Sequence, residues 1–534
     1  MRITNSMMTA NTKANINVNK ANEDKLNTMT ASGQKITRPS DDPVVAIRAM
    51  RLNTSLTELD QYHGKNIPDA DAWFTDTETA LMQTDDILSS MREKLNQASS
   101  EENVTSNVKD ILEELRQLKD QFYAIGNADS AGRTVFTGFR TGEMLTFTEQ
   151  DKMEYDIHQE FTKDDVQKMT YVKGSVLVTN EGAPTDGTTP ITGYKEESVE
   201  AVESYRIRLP YEDISGYTGK DNKIQVKLPG GTTQEIEVEV VSTTGMTPAQ
   251  VDDIYAPAAS VTKARLIKET GEVIFTKAQY DTIKTADSIS MDYSKENWKK
   301  GDPRPEHYFM CRTPKDPLNP DPRTYSDTYP DGIEYNYNRT LGGEPTTDPA
   351  GTPNGFIEQE LSFEIAYNQS ITINTHASDV YSHDIGRDID ELIAITQKVS
   401  NSETKIANVE KALEGTTDAT KVSELNTTLA ALKKENTLLK DQMHKMYTSA
   451  ITSFKGYSDD VNKQISNVGA LTARLDMTKN RVRDQKDNVK KLADDNINAD
   501  LSETALDFKS AQLALEAAQL AAGKIANQTL LNYI

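Results

Sequence analysis

Cysteine is almost absent: Cys311 is the only one in 534 residues. A single thiol excludes an intramolecular disulfide framework and any zinc site built from several cysteines. Chains without disulfides usually belong to the cytoplasm, and composition alone leaves the compartment open. Long apolar runs are missing too. No stretch approaches the ~18 residues of a membrane helix, and the opening MRITNSMMTANTKANINVNK lacks the ~7–15-residue apolar core of a secretory leader. Positive charge is in deficit: the net charge is −24 and the isoelectric point near 4.8. This argues against nucleic acid or an anionic membrane as a partner, because both bind through clustered cations. Aromatic residues make up only 7% and the mean hydropathy is −0.64, lean for a compact enzyme of this length. A long, hydrated molecule of several domains fits best.

What is present is helical spacing at both ends and turn chemistry between them. Residues 1–35 are rich in asparagine, a poor helix former, and carry a thin apolar stripe of Ile3, Met7, Ala10, Ala14, Ala21 and Met29. Alone, such a helix is marginal and needs a partner. Asp42 can cap a helix whose first residue is Pro43, where the missing N–H costs nothing; it runs to about Lys65, and Pro68 should end or kink it. Further helices are expected over about 76–98 and 104–125, the latter with a seam of Val108, Ile111, Leu115, Leu118, Phe122 and Ile125. In the carboxyl-terminal third, Leu425, Leu429, Leu432, Asn436, Leu439, Met443 and Met446 hold a 4-3 alternation, with Asn436 as the polar position that would fix register. A weaker seam follows over Leu475–Leu492. The turn Gly415–Asp418 separates two antiparallel helices, and a last helix covers about 501–532 through Leu506, Leu513, Ala517 and Leu520.

Between the ends, roughly 141–370, the period is two. Ile224, Val226 and Leu228, then Pro229-Gly230-Gly231, then Ile236, Val238 and Val240 predict a β-hairpin, and Leu266–Phe275 predicts another. Ten of the nineteen prolines lie between Pro303 and Pro353, a density expected to leave irregular chain without a helix or central strand. Seams at opposite ends can meet only if the chain goes out, builds the insert and returns. The implied fold is mainly α: an elongated multi-helix coiled-coil rod built from both ends, termini together at one end, with a β-rich domain inserted at the other.

Chemistry is hard to find. No phosphate loop, dinucleotide fingerprint, nucleophile elbow or His-Glu-x-x-His motif occurs. His376, Asp379 and His383 would share a face if helical, but Ile371-Thr372-Ile373 reads as a strand leading into a helix, with hydrated histidines. The run Asp316–Gly332 could hold calcium and fails the EF-hand pattern. The pairs Asp85-Asp86, Glu113-Glu114 and Asp494-Asp495 fall at helical spacings that face water, and Cys311 has no basic cluster beyond Arg312 to activate it. No catalytic residue, cofactor site or metal ligand set emerges.

The block Leu26–Met50, LNTMTASGQKITRPSDDPVVAIRAM, is similar to the amino-terminal segment of the bacterial flagellin superfamily. Within it, Arg38-Pro39-Ser40-Asp41-Asp42-Pro43 resembles the version of the hook–filament junction branch, where flagellins usually carry Asp-Asp-Ala-Ala. Thr134–Thr141, TVFTGFRT, resembles the segment by which the first helical block enters an insert. Gln512–Leu520 and Gln528–Ile534 resemble the family's carboxyl end. The resemblance covers about residues 1–145 and 370–534, and the insert matches no named family.

The resemblance implies a structural, non-enzymatic subunit of the bacterial flagellum. It would be exported through the flagellar channel without a cleaved signal and would assemble outside the cell at the hook–filament junction. Residues 1–40 and 500–534 would be terminal assembly helices, disordered in the monomer; 41–140 and 371–499 would form the rod, and 141–370 the Pro/Gly-rich insert. Assembly contacts are expected at Ile3, Met7, Ala10, Ala14, Leu513, Leu515, Leu520, Leu530 and Leu531. Arg38, Asp41, Asp42 and Pro43 would set the cap and the bend into the rod. Implied partners are further copies of the chain, hook-associated protein 1, flagellin, and an export chaperone at the carboxyl-terminal helix. A filament-forming flagellin and an insert with a ligand-binding or enzymatic role are the alternatives.

Overall fold

The computed structural model describes residues 5–100, 105–174, 196–216, 222–314, 332–335 and 360–526. It is 60% helical, with long helices at both ends and a central β-sheet insert. The chain divides into two compact units. One comprises residues 1–71, 363–371 and 472–534; the other comprises 72–362 and 372–471.

In the first unit, α1 (Asn5–Ser32) packs along α9 (Leu501–Ala526). Over the described residues the two ends form a helix pair. After α1 the backbone exchanges bonds with the link that precedes α9: Lys35 N–H donates to Ile497 O at 2.7 Å and Ala499 N–H to Gly33 O at 2.9 Å. Helix α2 (Pro43–Gln61) begins where expected. Pro68 does not end it. A π-helical turn, Tyr62–Asn66, leads directly into α3 (Ile67–Ala98), with Pro68 in the first turn. Proline cannot supply the N–H that an α ladder requires; the wider turn around Gly64 absorbs the register change.

The second unit holds α4 (Thr105–Ile125), whose seam buries Val108, Ile111, Leu115 and Phe122 as the spacing predicts. A short hairpin of β1 (Asp129–Ser130) and β2 (Arg133–Thr134) opens the insert. There follow β3 (Tyr155–Phe161), β4 (Val166–Lys173), β5 (Glu200–Arg208), β6 (Lys223–Lys227), β7 (Thr233–Val241), α5 (Pro248–Tyr255), β8 (Ala264–Ile267), β9 (Glu272–Phe275), α6 (Lys277–Ile283), β10 (Ser288–Lys295), β11 (Met310–Pro314) and β12 (Gly332–Tyr335). Ten described strands join in the order β12-β11-β3-β10-β6-β7-β8-β9-β5-β4, antiparallel except for the β7–β8 pair. Both hairpins read from the period-two pattern are there. In the β8–β9 turn, Gly271 has φ +63°, and a Cβ would lie 2.1 Å from Tyr211 O, so only glycine fits. One expectation fails: Met310–Pro314 lies in the proline-dense stretch yet forms a strand between β3 and β12, because its one proline, Pro314, sits at the strand's end.

A hairpin of β13 (Ser362–Ala366) and β14 (Gln369–Thr372) leads back to α7 (His383–Glu414) and α8 (Ala419–Ile497). Salt bridges Glu410–Lys433 and Glu403–Lys440, at 2.9 and 2.8 Å, fix α7 and the start of α8 as antiparallel neighbours across the expected turn.

Candidate assembly surface

Both terminal helices have two faces. On α1 the residues turned toward α9 are Thr12, Ile16, Asn19, Glu23, Leu26 and Met29, all half-buried. On α9 the facing set is Thr504, Phe508, Ala511, Leu515, Ala518 and Ala522, spaced 4-3-4-3-4. At 3.6 residues per turn, Met7, Ala10, Ala14, Val18 and Ala21 fall on the opposite side of α1, and Leu506, Leu513, Ala517 and Leu520 on the opposite side of α9. These stay exposed: Met7 at 56%, Val18 at 66%, Leu506 at 70%, Leu513 at 65% and Leu520 at 71%. The expected contacts Met7, Ala10, Ala14, Leu513 and Leu520 therefore share an uncovered side. Leu515 does not; it is buried against α1 within the chain. Ile3, Leu530 and Leu531 lie outside the described residues.

The Arg38–Pro43 block acts through local hydrogen bonds. Asp42 Oδ1 accepts from Val44 N–H at 3.0 Å and Val45 N–H at 3.1 Å, the N-cap of α2, with Pro43 at N1. Asp41 Oδ2 accepts from Arg38 N–H at 2.9 Å and Thr37 N–H at 3.2 Å, and these backbone donors hold its carboxyl below the usual range. The Arg38 side chain points to solvent.

Asn436 is displaced from its expected place. Of the expected seam Leu432, Leu439 and Met443 are buried, whereas Thr428, Glu435 and Tyr447 are buried in place of their neighbours Leu429, Asn436 and Met446. Glu435, facing Lys405 at 3.9 Å, is a buried charged residue there. Asn436 sits beside it, half-buried, with Oδ1 unbonded. The later seam also drifts: Leu475, Thr478 and Val482 are buried, and then Ala493 takes over from the exposed Leu492.

His376, Asp379 and His383 do not share a helical face. His376 precedes a short 3₁₀ turn, Ala377–Asp379, and His383 starts α7. Nor are the histidines hydrated: both are 9% exposed. His383 Nε2 meets Tyr211 Oη at 2.9 Å, and burial holds its imidazole down to about 3. Cys311 is buried on β11, and burial pushes its thiol well up. Asp85 accepts from Ser458 Oγ at 2.7 Å, whereas Asp86, Glu113, Glu114, Asp494 and Asp495 face water. The run Asp316–Gly332 lies outside the described residues apart from Gly332, which begins β12.

A cleft of about 760 Å³ lies in the second unit, against β4, β5 and α7. Arginines of its wall pair with carboxylates around them. Arg206 and Arg208 alternate onto one face of β5, and Asp384, Asp388 and Glu391 recur at i, i+4 and i+7 on α7. Arg206 pairs with Glu272 and, at 2.8 Å, with Glu391. Arg208 reaches Asp388 at 2.7 Å and Asp384 at 2.9 Å, and Arg387 meets Glu212 at 2.7 Å. Burial alone would raise the Glu391 carboxyl, but Arg206 and Arg208 outweigh it and hold it down to about 2. At Asp388 burial prevails over Arg208 and pushes the carboxyl up. The two alternating rows were visible in the sequence and were not recognised as partners, since only the fold brings β5 to α7.

The family model of the bacterial flagellin N-terminal helical region matches residues 3–141. Over that stretch the chain is similar to flagellins, in line with the resemblance of the Leu26–Met50 block. It is 27% identical over 142 residues to flagellar hook-associated protein 3 of Salmonella typhimurium, a match covering 26% of this chain and 44% of that protein. It is 31% identical over 145 residues to a flagellin of Clostridium tyrobutyricum, covering 27% of this chain and 36% of that one. The matches thus span less than half the length of either relative. Among solved structures, FlgL of Xanthomonas campestris covers 83% of this chain, with 98% of its own length matched, at 11% identity and a TM-score of 0.30. Hook associated protein-3 of Legionella pneumophila covers 83%, with 97% of its own length, at 12% identity and a TM-score of 0.26. No described helix is long and apolar enough to cross a membrane.

Proposed function

We propose that this chain is a structural adapter of the bacterial flagellum of the hook-associated protein 3 type, joining the hook, through hook-associated protein 1, to the flagellin filament by assembling with copies of itself into a junction ring. The observation that carries the reading is the second face of the terminal helices. Met7, Ala10, Ala14 and Val18 on α1, with Leu506, Leu513 and Leu520 on α9, form apolar rows that α1 and α9 do not cover for each other. Scattered exposed leucines need no explanation, but a row repeated every seven residues fits packing against further helices. The Arg-Pro-Ser-Asp-Asp-Pro block and the similarity to hook-associated protein 3 support the junction over the filament. On this reading the chain is not an enzyme, leaves the cell by the flagellar export route, and offers its carboxyl-terminal helix to a chaperone beforehand. The ion pairs of the insert cleft support a structural use of its polar groups.

A filament-forming flagellin is the second reading, favoured by the 31% identity to a flagellin. Immunogold labelling of intact flagella separates them. The junction reading expects one band between hook and filament. Labelling along the whole filament, or flagella unchanged when the gene is deleted, overturns it.

A further inference from the structure

Where the chain enters the β-rich insert and where it leaves, two segments run side by side. Arg304 N–H donates to Leu145 O at 2.9 Å, Phe147 N–H donates to Asp302 O at 3.0 Å, and Thr146 bridges Pro303. This pairing sets Glu143 beside the 3₁₀ turn Pro305–His307. One ligand atom each from Glu143, Glu306 and His307 lies within 4.8 Å of the others.

The set is poorly satisfied as protein alone. Glu306 and His307 are wholly buried, yet both Glu306 carboxylate oxygens, Glu143 Oε2 and His307 Nδ1 lack a hydrogen bond. Unbonded buried acceptors of this kind are costly and uncommon. His307 Nε2–H donates to Met144 O at 3.0 Å, which leaves the Nδ1 lone pair without a hydrogen bond. A histidine whose second nitrogen is fixed on a backbone carbonyl is the arrangement in which imidazole usually ligates a metal. Burial also keeps this imidazole neutral, holding it down to about 3.

Arg304 is the competing cation. Its Nε lies 3.1 Å from Glu306 Oε1 and its Nη1 3.7 Å from Glu143 Oε2, but neither approach has hydrogen-bond geometry. Its guanidinium rests over the Phe147 ring at 5.0 Å, and the side chain is a quarter exposed, so it can turn to water. Arg140, over the Phe139 ring at 5.4 Å, contributes further positive charge. Glu143 is 43% exposed and opens a path from solvent.

We propose that Glu143, Glu306 and His307 form a binding site for one divalent transition-metal ion of the zinc type, with water as a fourth ligand. Two carboxylates and a neutral imidazole are a donor set suited to zinc. The carboxylates neutralise the ion's double charge, and Arg304 turns outward on binding. The ion clips the entering strand to the leaving one at the root of the insert.

The test is calorimetric titration of the full chain, cleared of metal with EDTA, with zinc chloride. One ion per chain is expected, together with a rise in the unfolding midpoint followed by Trp298 fluorescence. Glu143→Gln and His307→Asn should each weaken binding at least about tenfold, whereas His158→Asn should leave it unchanged. Should His307→Asn fail to fold, Glu143→Gln decides, because Glu143 lies partly at the surface. The absence of saturable binding, or affinity retained in Glu143→Gln, overturns the site.

Discussion

The terminal helix pair and the junction of β5 with α7 are built on opposite plans. In the first, the helices meet through mixed rows, half-buried on α1 and partly buried on α9, and each keeps a second, more apolar row facing water. In the second, three buried arginines meet five carboxylates, of which Glu272, Asp388 and Glu391 lie inside and Asp384 and Glu212 at the rim. A surface that lacks half its cover gains stability when other chains arrive; a closed ionic junction gains nothing from them. The difference separates groups that are satisfied within the chain from apolar rows that the chain leaves uncovered.

The junction breaks most severely. Arg206 is nearly buried and faces Glu272 and Glu391. Arg206→Ala leaves the buried Glu272 without a cation and Glu391 with Arg208 alone, at 3.4 Å, and breaking a buried pair in this way costs about 3–5 kcal/mol. Trp73 and Trp298 both belong to the second unit, so urea unfolding followed by tryptophan fluorescence reads it directly. A loss under 1 kcal/mol would mean that solvent already reaches the pair.

Acid should separate the regions further. His383 and His307 are both held to about 3, far below the ordinary 6.5. Below pH 6.5 the unfolded chain takes up protons that the folded chain refuses, so stability falls as pH falls. Each histidine contributes about 1.4 kcal/mol per pH unit between pH 6 and 5. Glu391, held to about 2, adds a loss that begins only below pH 4.5. Asp388 and Glu212, pushed up by burial, work in the opposite direction and offset part of the slope. His383→Gln should halve the histidine contribution in tryptophan-monitored unfolding. The helices α1 and α9 contain no histidine, so their hydrogen-exchange protection should not follow that slope.

Much of this architecture was legible. Asp42 and Pro43 start α2, the α4 seam is buried where spacing placed it, and Pro229-Gly230-Gly231 turns β6 into β7. Each signal there is local. The faces of α1 and α9 were not legible in the same way, because amplitude misleads. Leu506, Leu513 and Leu520 outshine Thr504, Phe508 and Ala511, and it is the quieter row that packs within the chain. Asn436 was misplaced for a related reason. A seam spaced at 3.5 drifts from a helix of 3.6, and one residue of slip buries Glu435 in place of its neighbour. Arg206 and Glu391 are 185 residues apart, beyond any periodic signal.

Two leucines two residues apart test the faces directly. Leu515→Ala removes a side chain buried in the α1–α9 contact and should cost about 2 kcal/mol, read as faster amide exchange along both helices. Leu513→Ala should change stability by less than about 0.5 kcal/mol. On the proposed function, Leu513→Asp should abolish incorporation into flagella while leaving the monomer's exchange pattern intact. Equal stability losses at both positions would merge the two faces into one.

Asp42→Ala is the mildest change and divides capping from contact. Removing the acceptor of Val44 N–H and Val45 N–H should cost about 1 kcal/mol, seen as fraying of the first turn of α2. Asp42→Ser restores an acceptor and should recover most of it. The same pair read for incorporation into flagella tells which role the block has. If serine restores helix protection and assembly together, Asp42 acts as a cap; if it restores protection alone, the carboxylate also meets another chain.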